Sequence, residues 1–194
     1  MFSAIFPIFC IGCQKYDEFI CADCAKLASV ASYQKRPGFH FHCCFKYEGL
    51  LAEALARVKQ KNQFGYLKVL GSLVRDSIRP SKEFQCLVPP STNTAFRKRG
   101  FNPSFELAKL SGFQVSGQIR RIKQTEYQQG LDSEARQTNI ENAFKVNRRG
   151  QFYLFDDVVT TGATIREMRR AVEDAGGEVV GIFALCSTGT KGAN

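Results

Sequence analysis

One segment, residues 153–165 (YLFDDVVTTGATI), limits more than any other what this chain can fold into. It begins with an apolar run typical of a buried strand, continues with Asp156 and Asp157, and then becomes small and hydroxylated. Residues 162–175 repeat apolar side chains at helical spacing and end at a glycine pair. Because a strand that turns into a helix is the unit of α/β proteins, we expect a mostly parallel sheet flanked by helices.

The remaining patterns agree with this fold class. Apolar spacing predicts helices, while short apolar runs between turn residues predict strands. A polar, basic stretch is expected to be a loop, and residues 123–142 are expected to form a long loop or flap. The predicted helices cover about 48–61, 66–74 and 104–110, the strands 84–88, 143–146, 152–155 and 178–185, and the basic loop 91–102.

Composition excludes some classes of protein. Hydrophobic residues make up 44% and charged residues 23% of the chain, as in ordinary globular domains. No run of about 18 apolar residues is present, so we expect no membrane span. The opening segment MFSAIFPIFC has no basic n-region and no small-residue cleavage site, so we expect no signal peptide and a cytoplasmic location.

Four of the eight cysteines form two close pairs, Cys10-x2-Cys13 and Cys21-x2-Cys24. Two such pairs can surround one metal ion with four thiolates, which is typical of a structural zinc site without an open coordination position. A redox pair, disulfides or free buried thiols are the alternatives. In a reducing compartment the spacing favours metal ligands over disulfides.

The cysteine-rich segment suggests a division of the chain at residue 45. Residues 1–45 are predicted to form a zinc-finger module without a core of its own, and residues 46–190 the α/β domain. A second metal site could involve His40, His42, Cys43 and Cys44, but these lack the paired spacing, so ordinary core or surface positions are favoured. Cys86 and Cys186 are predicted to be buried.

The central motif has the chemistry of a site for a phosphorylated pentose. A strand end presents Asp156 and Asp157, which are the candidate catalytic residues and can accept hydrogen bonds from ribose hydroxyls. The turn that follows offers free N–H groups, hydroxyls and a helix N-terminus to a phosphate. It consists of Thr160, Thr161, Gly162, Ala163 and Thr164. The alternative is a capped helix that happens to follow an acidic turn.

This motif resembles the phosphoribosyl pyrophosphate (PRPP) signature of type I phosphoribosyltransferases. Two further segments narrow the resemblance to the ComF family of competence-associated proteins: LVPPSTNTAFRKRGFN at 87–102 and TEYQQGLDSEARQTNIENAF at 125–144. Together with the N-terminal cysteines, the resemblance covers nearly the whole chain. It implies a type I phosphoribosyltransferase-like domain preceded by a small zinc finger.

The resemblance also implies a role. Members of this family act in natural transformation, the use of imported DNA, beside a helicase-like protein. The chain would bind PRPP with Mg²⁺, and an active phosphoribosyltransferase with an unknown acceptor is the alternative. In transferases of this class the loop after the first core strand binds pyrophosphate, so Arg97, Lys98 and Arg99 are candidates for that contact. Arg136 lies in the expected flap and would close over the ligand or cap a helix.

The net charge of +9 is concentrated between residues 46 and 120, which carry 13 basic and 5 acidic side chains. Such an excess suits a phosphate-rich ligand, single-stranded DNA or a solvated surface. The basic side chains considered for DNA contact are Arg57, Lys59, Lys61, Lys82, Arg97, Lys98 and Arg99. Phe39, Phe41 and Phe45 would stack on bases or, alternatively, form a small core.

Overall fold

A six-stranded, mostly parallel sheet organises the chain. In this computed structural model, residues 7–36, 38–123 and 140–189 of the 194 are described. The helices are α1 (Ala22–Lys26), α2 (Gly49–Lys61), α3 (Gly65–Ser77), α4 (Asn93–Arg99), α5 (Pro103–Leu110) and α6 (Ala163–Asp174). The strands are β1 (Tyr33–Arg36), β2 (Phe39–Lys46), β3 (Gln85–Leu87), β4 (Gln114–Val115), β5 (Ile119–Arg121), β6 (Phe144–Val146), β7 (Gln151–Val159) and β8 (Glu178–Ser187).

The strand order is β1-β2-β8-β7-β3-β4. Only β1 runs antiparallel to its neighbour in this sheet, and β5 pairs separately with β6 as a short antiparallel ladder. Parallel neighbours need crossover connections, which the helices provide. The fold class predicted from the sequence, a mostly parallel sheet flanked by helices, is confirmed.

Each face of the sheet packs against its own helices. Side chains alternate between the two faces along β7, so Phe155 lies on the face covered by α2, α3 and α5, and Leu154 lies on the face covered by α6. Strand β8 alternates in the same way with Leu185 and Ala184. Both faces of β7 and β8 are therefore buried, which explains their nearly continuous apolar sequences.

Strands β1 and β2 form part of this sheet, because β1 pairs with β2 and β2 pairs in parallel with β8. The sheet therefore includes residues on the N-terminal side of the predicted boundary at residue 45, and the division into two domains stays a prediction. Phe39, Phe41 and Phe45 are all buried. These rings belong to the main cores on the two faces of the sheet, Phe45 on one and Phe39 and Phe41 on the other, and not to a small core of their own. The idea that they stack on bases is wrong.

The basic segment predicted as a loop contains a helix instead. The Thr92 hydroxyl accepts a hydrogen bond from Ala95 N at 3.2 Å and caps the start of α4, and Gly100 ends the helix in the left-handed conformation. Arginine and lysine favour helices nearly as much as leucine does, so clustered charge alone does not indicate a loop.

Strand β7 is longer than predicted. Residues 152–155 were expected to be the strand, but pairing with β8 continues to Val159, so both aspartates lie inside it. Most of the expected flap, with Arg136, lies outside the described residues. The ladder of β5 and β6 stands at the two ends of that segment.

Candidate functional site

The acidic pair lies near the carboxyl end of the central strand β7. Asp156 and Asp157 are 8% and 5% exposed, so both carboxyl groups are enclosed by protein. Their side chains point to opposite faces, as neighbours on a strand do. Open α/β sheets bind ligands at this edge, beyond the carboxyl ends of their strands.

Asp156 is held by two hydrogen bonds. Its Oδ1 accepts from the Ser104 hydroxyl at 3.2 Å and from the backbone N–H of Asp157 at 2.8 Å. Burial raises the pKa of Asp156 to about 7, and the neighbouring charge of Asp157 acts in the same direction. Asp156 is therefore a carboxyl group that changes protonation near neutral pH.

Asp157 forms an ion pair with Lys59, in the last turn of α2. The Lys59 Nζ lies 2.8 Å from both carboxylate oxygens. Burial by itself would lower the pKa of Lys59, but the charge of Asp157 and their hydrogen bond outweigh burial and raise it. Sequence analysis did not assign Lys59 or Ser104 to this site, because both come from distant parts of the chain.

The turn after β7 leads into α6 through a glycine. Gly162 has φ 80° and begins α6 without a side-chain cap. A Cβ at this position would lie 2.5 Å from the ring of Phe39, so only glycine fits. Ala163 N donates to the Thr161 hydroxyl at 3.4 Å. Among the described residues, no acceptor contacts the backbone N–H groups of Thr161, Gly162 or Thr164.

Two arginines fix the peptide planes of this turn. Arg36, which is 5% exposed, donates from Nε to Thr160 O at 3.0 Å, and Arg166 donates from Nη1 to Thr161 O at 3.0 Å. In a trans peptide the N–H points away from the C=O. The carbonyls of Thr160 and Thr161 therefore face the arginines, and the next two N–H groups face the opposite side. Sequence analysis missed both arginines.

The three basic candidates lie at the end of α4. Arg97 and Lys98 are exposed, whereas the Nε of Arg99 is buried and has no hydrogen-bond partner among the described residues. A buried donor without an acceptor is costly unless a ligand or water satisfies it. Asn102 follows them, donates to Pro89 O at 2.9 Å and caps α5, whose Ser104 contacts Asp156.

The two cysteine pairs meet as the sequence predicted. The four Sγ atoms of Cys10, Cys13, Cys21 and Cys24 lie within 4.8 Å of one another. The thiols of Cys13 and Cys21 are 3.5 Å apart, and Cys21 N donates to the Cys10 sulfur at 3.3 Å. Burial opposes ionisation of Cys10, but backbone N–H groups from Cys13, Cys21 and Gly12 lower its pKa to about 6.

Two observations fit this cluster to a metal such as zinc. Four sulfurs about 2.3 Å from one ion need this degree of convergence. Gly12 lies against them, since a Cβ there would come within 2.6 Å of Cys24 Sγ and 3.0 Å of Leu50 Cδ1. The turn from Cys10 to Cys13, a cysteine knuckle, therefore packs tightly against the sulfurs and against the first turn of α2.

The other metal candidates do not converge. His40 and His42 are exposed, and each contacts the ring of Tyr33, whereas Cys43 and Cys44 are buried. Among the described residues, the four N-terminal cysteines form the only group that could hold a metal ion. Ordinary core and surface positions were expected here, and Cys86 and Cys186 are buried as predicted.

Known proteins similar to this chain include two competence proteins. Competence protein ComFC of Streptococcus pneumoniae is 26% identical over 91% of this chain and 79% of its own length. Competence protein F of Haemophilus influenzae is 28% identical over 91% of this chain and 89% of its own length. A shorter match, 37% identical over 26% of this chain and 25% of the relative, is to orotate phosphoribosyltransferase of Campylobacter lari. No family model matches the chain.

Similar solved structures include adenine phosphoribosyltransferases of Thermoanaerobacter pseudethanolicus and Rhodothermus marinus. They are 14% and 19% identical, have TM-scores of 0.40 and 0.39, and each match covers 84% of this chain. The matches cover 96% and 83% of those chains. An overlap of this size assigns no activity. Within the described ranges, no helix is long and apolar enough to cross a membrane.

Proposed function

Because the chain belongs to the ComF family of competence-associated proteins, we propose that it binds PRPP with Mg²⁺ and serves the use of imported DNA. One observation carries the ligand assignment. Two buried carboxyl groups stand directly before a turn whose peptide N–H groups face away from their arginine anchors. Hydroxyl-binding and phosphate-binding groups are thus joined in one short segment, as a phosphorylated pentose requires.

Each part of the ligand has its partner in this proposal. Asp156 and Asp157 accept hydrogen bonds from the ribose hydroxyls. The 5-phosphate binds the turn formed by Thr160, Thr161, Gly162, Ala163 and Thr164. The Thr161 hydroxyl is already an acceptor for Ala163 N, so backbone N–H groups and the Thr164 hydroxyl supply most of the donors.

The pyrophosphate binds beside the end of α4. Arg97, Lys98 and Arg99 supply the positive charge, and the unpartnered Nε of Arg99 supplies a buried donor. Mg²⁺ is held by pyrophosphate oxygens and ribose hydroxyls and keeps several of its waters. Arg136 belongs to the same proposal as a residue that closes over the ligand.

The two halves of the ligand allow a direct test of these roles. Calorimetric titrations with ribose 5-phosphate and with magnesium pyrophosphate would be compared in Thr164→Val and Arg99→Met. We expect Thr164→Val to weaken the first and Arg99→Met the second, each by roughly tenfold, the value of one hydrogen bond to a charged group. Equal losses for both ligands in both variants would contradict the assigned roles.

A second candidate function is transfer of the phosphoribosyl group to an acceptor. The observation that favours it is Asp156, whose pKa of about 7 suits a group that takes up a proton near neutral pH. In this reaction an acceptor nitrogen bonds to the ribose anomeric carbon, pyrophosphate leaves, and the acceptor proton passes to a base. Pyrophosphate release that requires one nucleobase from a panel, and that is lost in Asp156→Asn, would support an enzymatic function. A protein that releases no pyrophosphate with any nucleobase of the panel would refute it.

Single-stranded DNA is the proposed macromolecular partner, and its proposed stacking residues are two exposed rings, Phe64 and Phe96. Phe64 and Phe96 are 38% and 50% exposed, in contrast to the buried rings considered first. The Asn62 amide donates to Lys98 O at 3.4 Å and so joins the end of α2 to the end of α4. Exposed basic side chains lie beside exposed aromatic rings there, and this arrangement suits the phosphates and bases of single-stranded DNA.

Fluorescence anisotropy with a labelled oligothymidine would test this partner. We expect Lys98→Gln to lower the slope of log affinity against log salt by about 0.7, the value of one phosphate contact. Phe96→Ala should weaken binding about tenfold with an unchanged slope, since it removes stacking alone. Unaltered binding in both variants would contradict this surface. A helicase-like partner and a cytoplasmic location, where thiolate ligands persist, complete the proposal.

A further inference from the structure

One ion pair differs from all others among the described residues. Every other pair joins side chains three or four positions apart, whereas Lys59 and Asp157 come from α2 and β7. The Lys59 side chain is 35% exposed and that of Asp157 only 7%. A surface helix thus inserts one ammonium group beside the acidic pair.

We propose that Lys59 is a positioning residue: its ammonium holds the Asp157 carboxylate in one orientation, so that Asp157 accepts hydrogen bonds from the bound ligand. This inference rests on the proposed function for its ligand. It adds to that function the group that fixes where the Asp157 carboxylate stands.

Hydrogen-bonding capacity supports positioning rather than blockage. An ionised carboxylate has about four lone-pair sites, two on each oxygen, and a protonated one turns an oxygen into a donor. Lys59 lies 2.8 Å from each oxygen of Asp157 and so occupies one side of the group. The remaining lone pairs are left for the two hydroxyls of a ribose diol.

Charge at the site makes Lys59 decisive. Two adjacent buried carboxyl groups repel each other and cannot both ionise without a compensating cation. Among the described residues, Asp156 and the Tyr47 hydroxyl also interact with Lys59, and the Cys186 thiol interacts with both Lys59 and Asp157; none of these groups is a cation. Burial is the first cause of the raised pKa of Asp156, and the neighbouring charge of Asp157 is the second.

Lys59 is also distinct among the cations of its own helix. Arg57 pairs with Glu53 within α2, at 2.7 Å, and stacks over Tyr66, while Lys61 is exposed. Val58, beside Lys59, is fully buried and fixes the rotation of the helix. Packing of α2 therefore sets where the ammonium stands.

The first test uses the ligand-free protein. Asp157 would be followed by carbon-13 NMR of its carboxyl group at pH 7, with Asp157→Asn to assign the signal. We expect Lys59→Met to change the chemical shift of this carboxyl group, because its ion-pair partner is lost, and Lys59→Arg to restore it, since a guanidinium pairs with both oxygens. An unchanged chemical shift in Lys59→Met would overturn the inference.

The second test adds PRPP and Mg²⁺. We expect Lys59→Met to bind PRPP at least tenfold more weakly at pH 7. Lys59→Arg should keep most of the affinity, and Lys68→Met, which removes an exposed lysine of α3, serves as the charge control. Equal or tighter binding by Lys59→Met would overturn the positioning role. A parent protein that binds no PRPP would refute the proposed function, and the NMR comparison of the ligand-free proteins would still decide the role of Lys59.

Discussion

Replacement of Gly12 by alanine tests whether the cysteine cluster is a tightly closed metal site. The new Cβ would lie 2.6 Å from Cys24 Sγ, 3.0 Å from Leu50 Cδ1 and 3.2 Å from Cys24 Cβ. Non-bonded atoms prefer about 3.5–4.0 Å, so the overlap with the sulfur is about 1 Å. Cys24 cannot retreat without carrying its sulfur away from the other three.

The expected loss can be estimated from this overlap. Forcing one extra carbon into a packed site costs about 1–3 kcal/mol. Since about 1.4 kcal/mol corresponds to a factor of ten, zinc affinity should fall about 5- to 150-fold. Gly12 has no positive φ, so backbone strain adds nothing and the clash alone is measured.

Zinc competition with a chromophoric chelator would measure the effect. Gly117→Ala is the matched control, because a Cβ there would have no neighbour within 4 Å and its φ is ordinary. We expect Gly117→Ala to keep the parent affinity. A Gly12→Ala protein whose zinc affinity stays within about twofold of the parent would refute the argument that the knuckle closes on a metal.

Three further predictions concern the turn after β7 and the acidic pair, Asp156 and Asp157. Gly162→Ala places a Cβ against the Phe39 ring at positive φ, so chemical denaturation should show a decrease of about 1–3 kcal/mol in the free energy of unfolding. A decrease below about 0.5 kcal/mol would contradict this close contact. Arg36→Met removes hydrogen bonds to Thr160 O and Thr188 O, so the free energy of unfolding should fall by about 3 kcal/mol. The affinity for PRPP should fall as well, and a variant with unchanged stability and affinity would exclude the anchoring role of Arg36. The folded-state pKa of Asp156 lies above its usual 3.8, at about 7, so its contribution to stability is complete below pH 3.8 and is lost as pH rises through 7. Between pH 5 and pH 8, the free energy of unfolding measured with urea should therefore fall more for the parent than for Asp156→Asn. Equal decreases in the two proteins would contradict a raised pKa at Asp156.

The local parts of the site were predictable from the sequence. The turn after β7 and the cysteine knuckles depend on residues close together in the chain, so spacing alone placed them.

Contacts between distant segments were not predictable in this way. Lys59 and Asp157 are 98 positions apart, and Ser104 and Asp156 are 52 apart. Their meeting depends on how α2 and α5 pack on the sheet, which no local pattern encodes. Lys59 was instead grouped with Arg57 and Lys61 as a candidate for DNA contact, because basic side chains clustered on one helix suit a phosphate backbone.

Strand β2 shows a signal that was present and overlooked. Phe39, Phe41 and Cys43 are buried and alternate with the exposed His40 and His42, which is the period of a strand. Because residues 1–45 were predicted to form a zinc-finger module without a core of its own, no strand was predicted here. Helix α4 was missed for a related reason, because polarity was taken as a loop despite a capping threonine and a terminal glycine.

Calorimetric titration of the zinc-loaded protein with PRPP and Mg²⁺ tests the central claim most directly. The matched variant is Asp156→Asn/Asp157→Asn, which keeps the shape of both side chains but replaces one acceptor oxygen of each with an amide donor and removes the negative charge. We predict saturable binding by the parent and a loss of about 100-fold in the double variant, the value of two hydrogen bonds at about 1.4 kcal/mol each. Equal affinity in the two proteins, or no binding by the parent, would contradict a phosphoribosyl site at the end of β7.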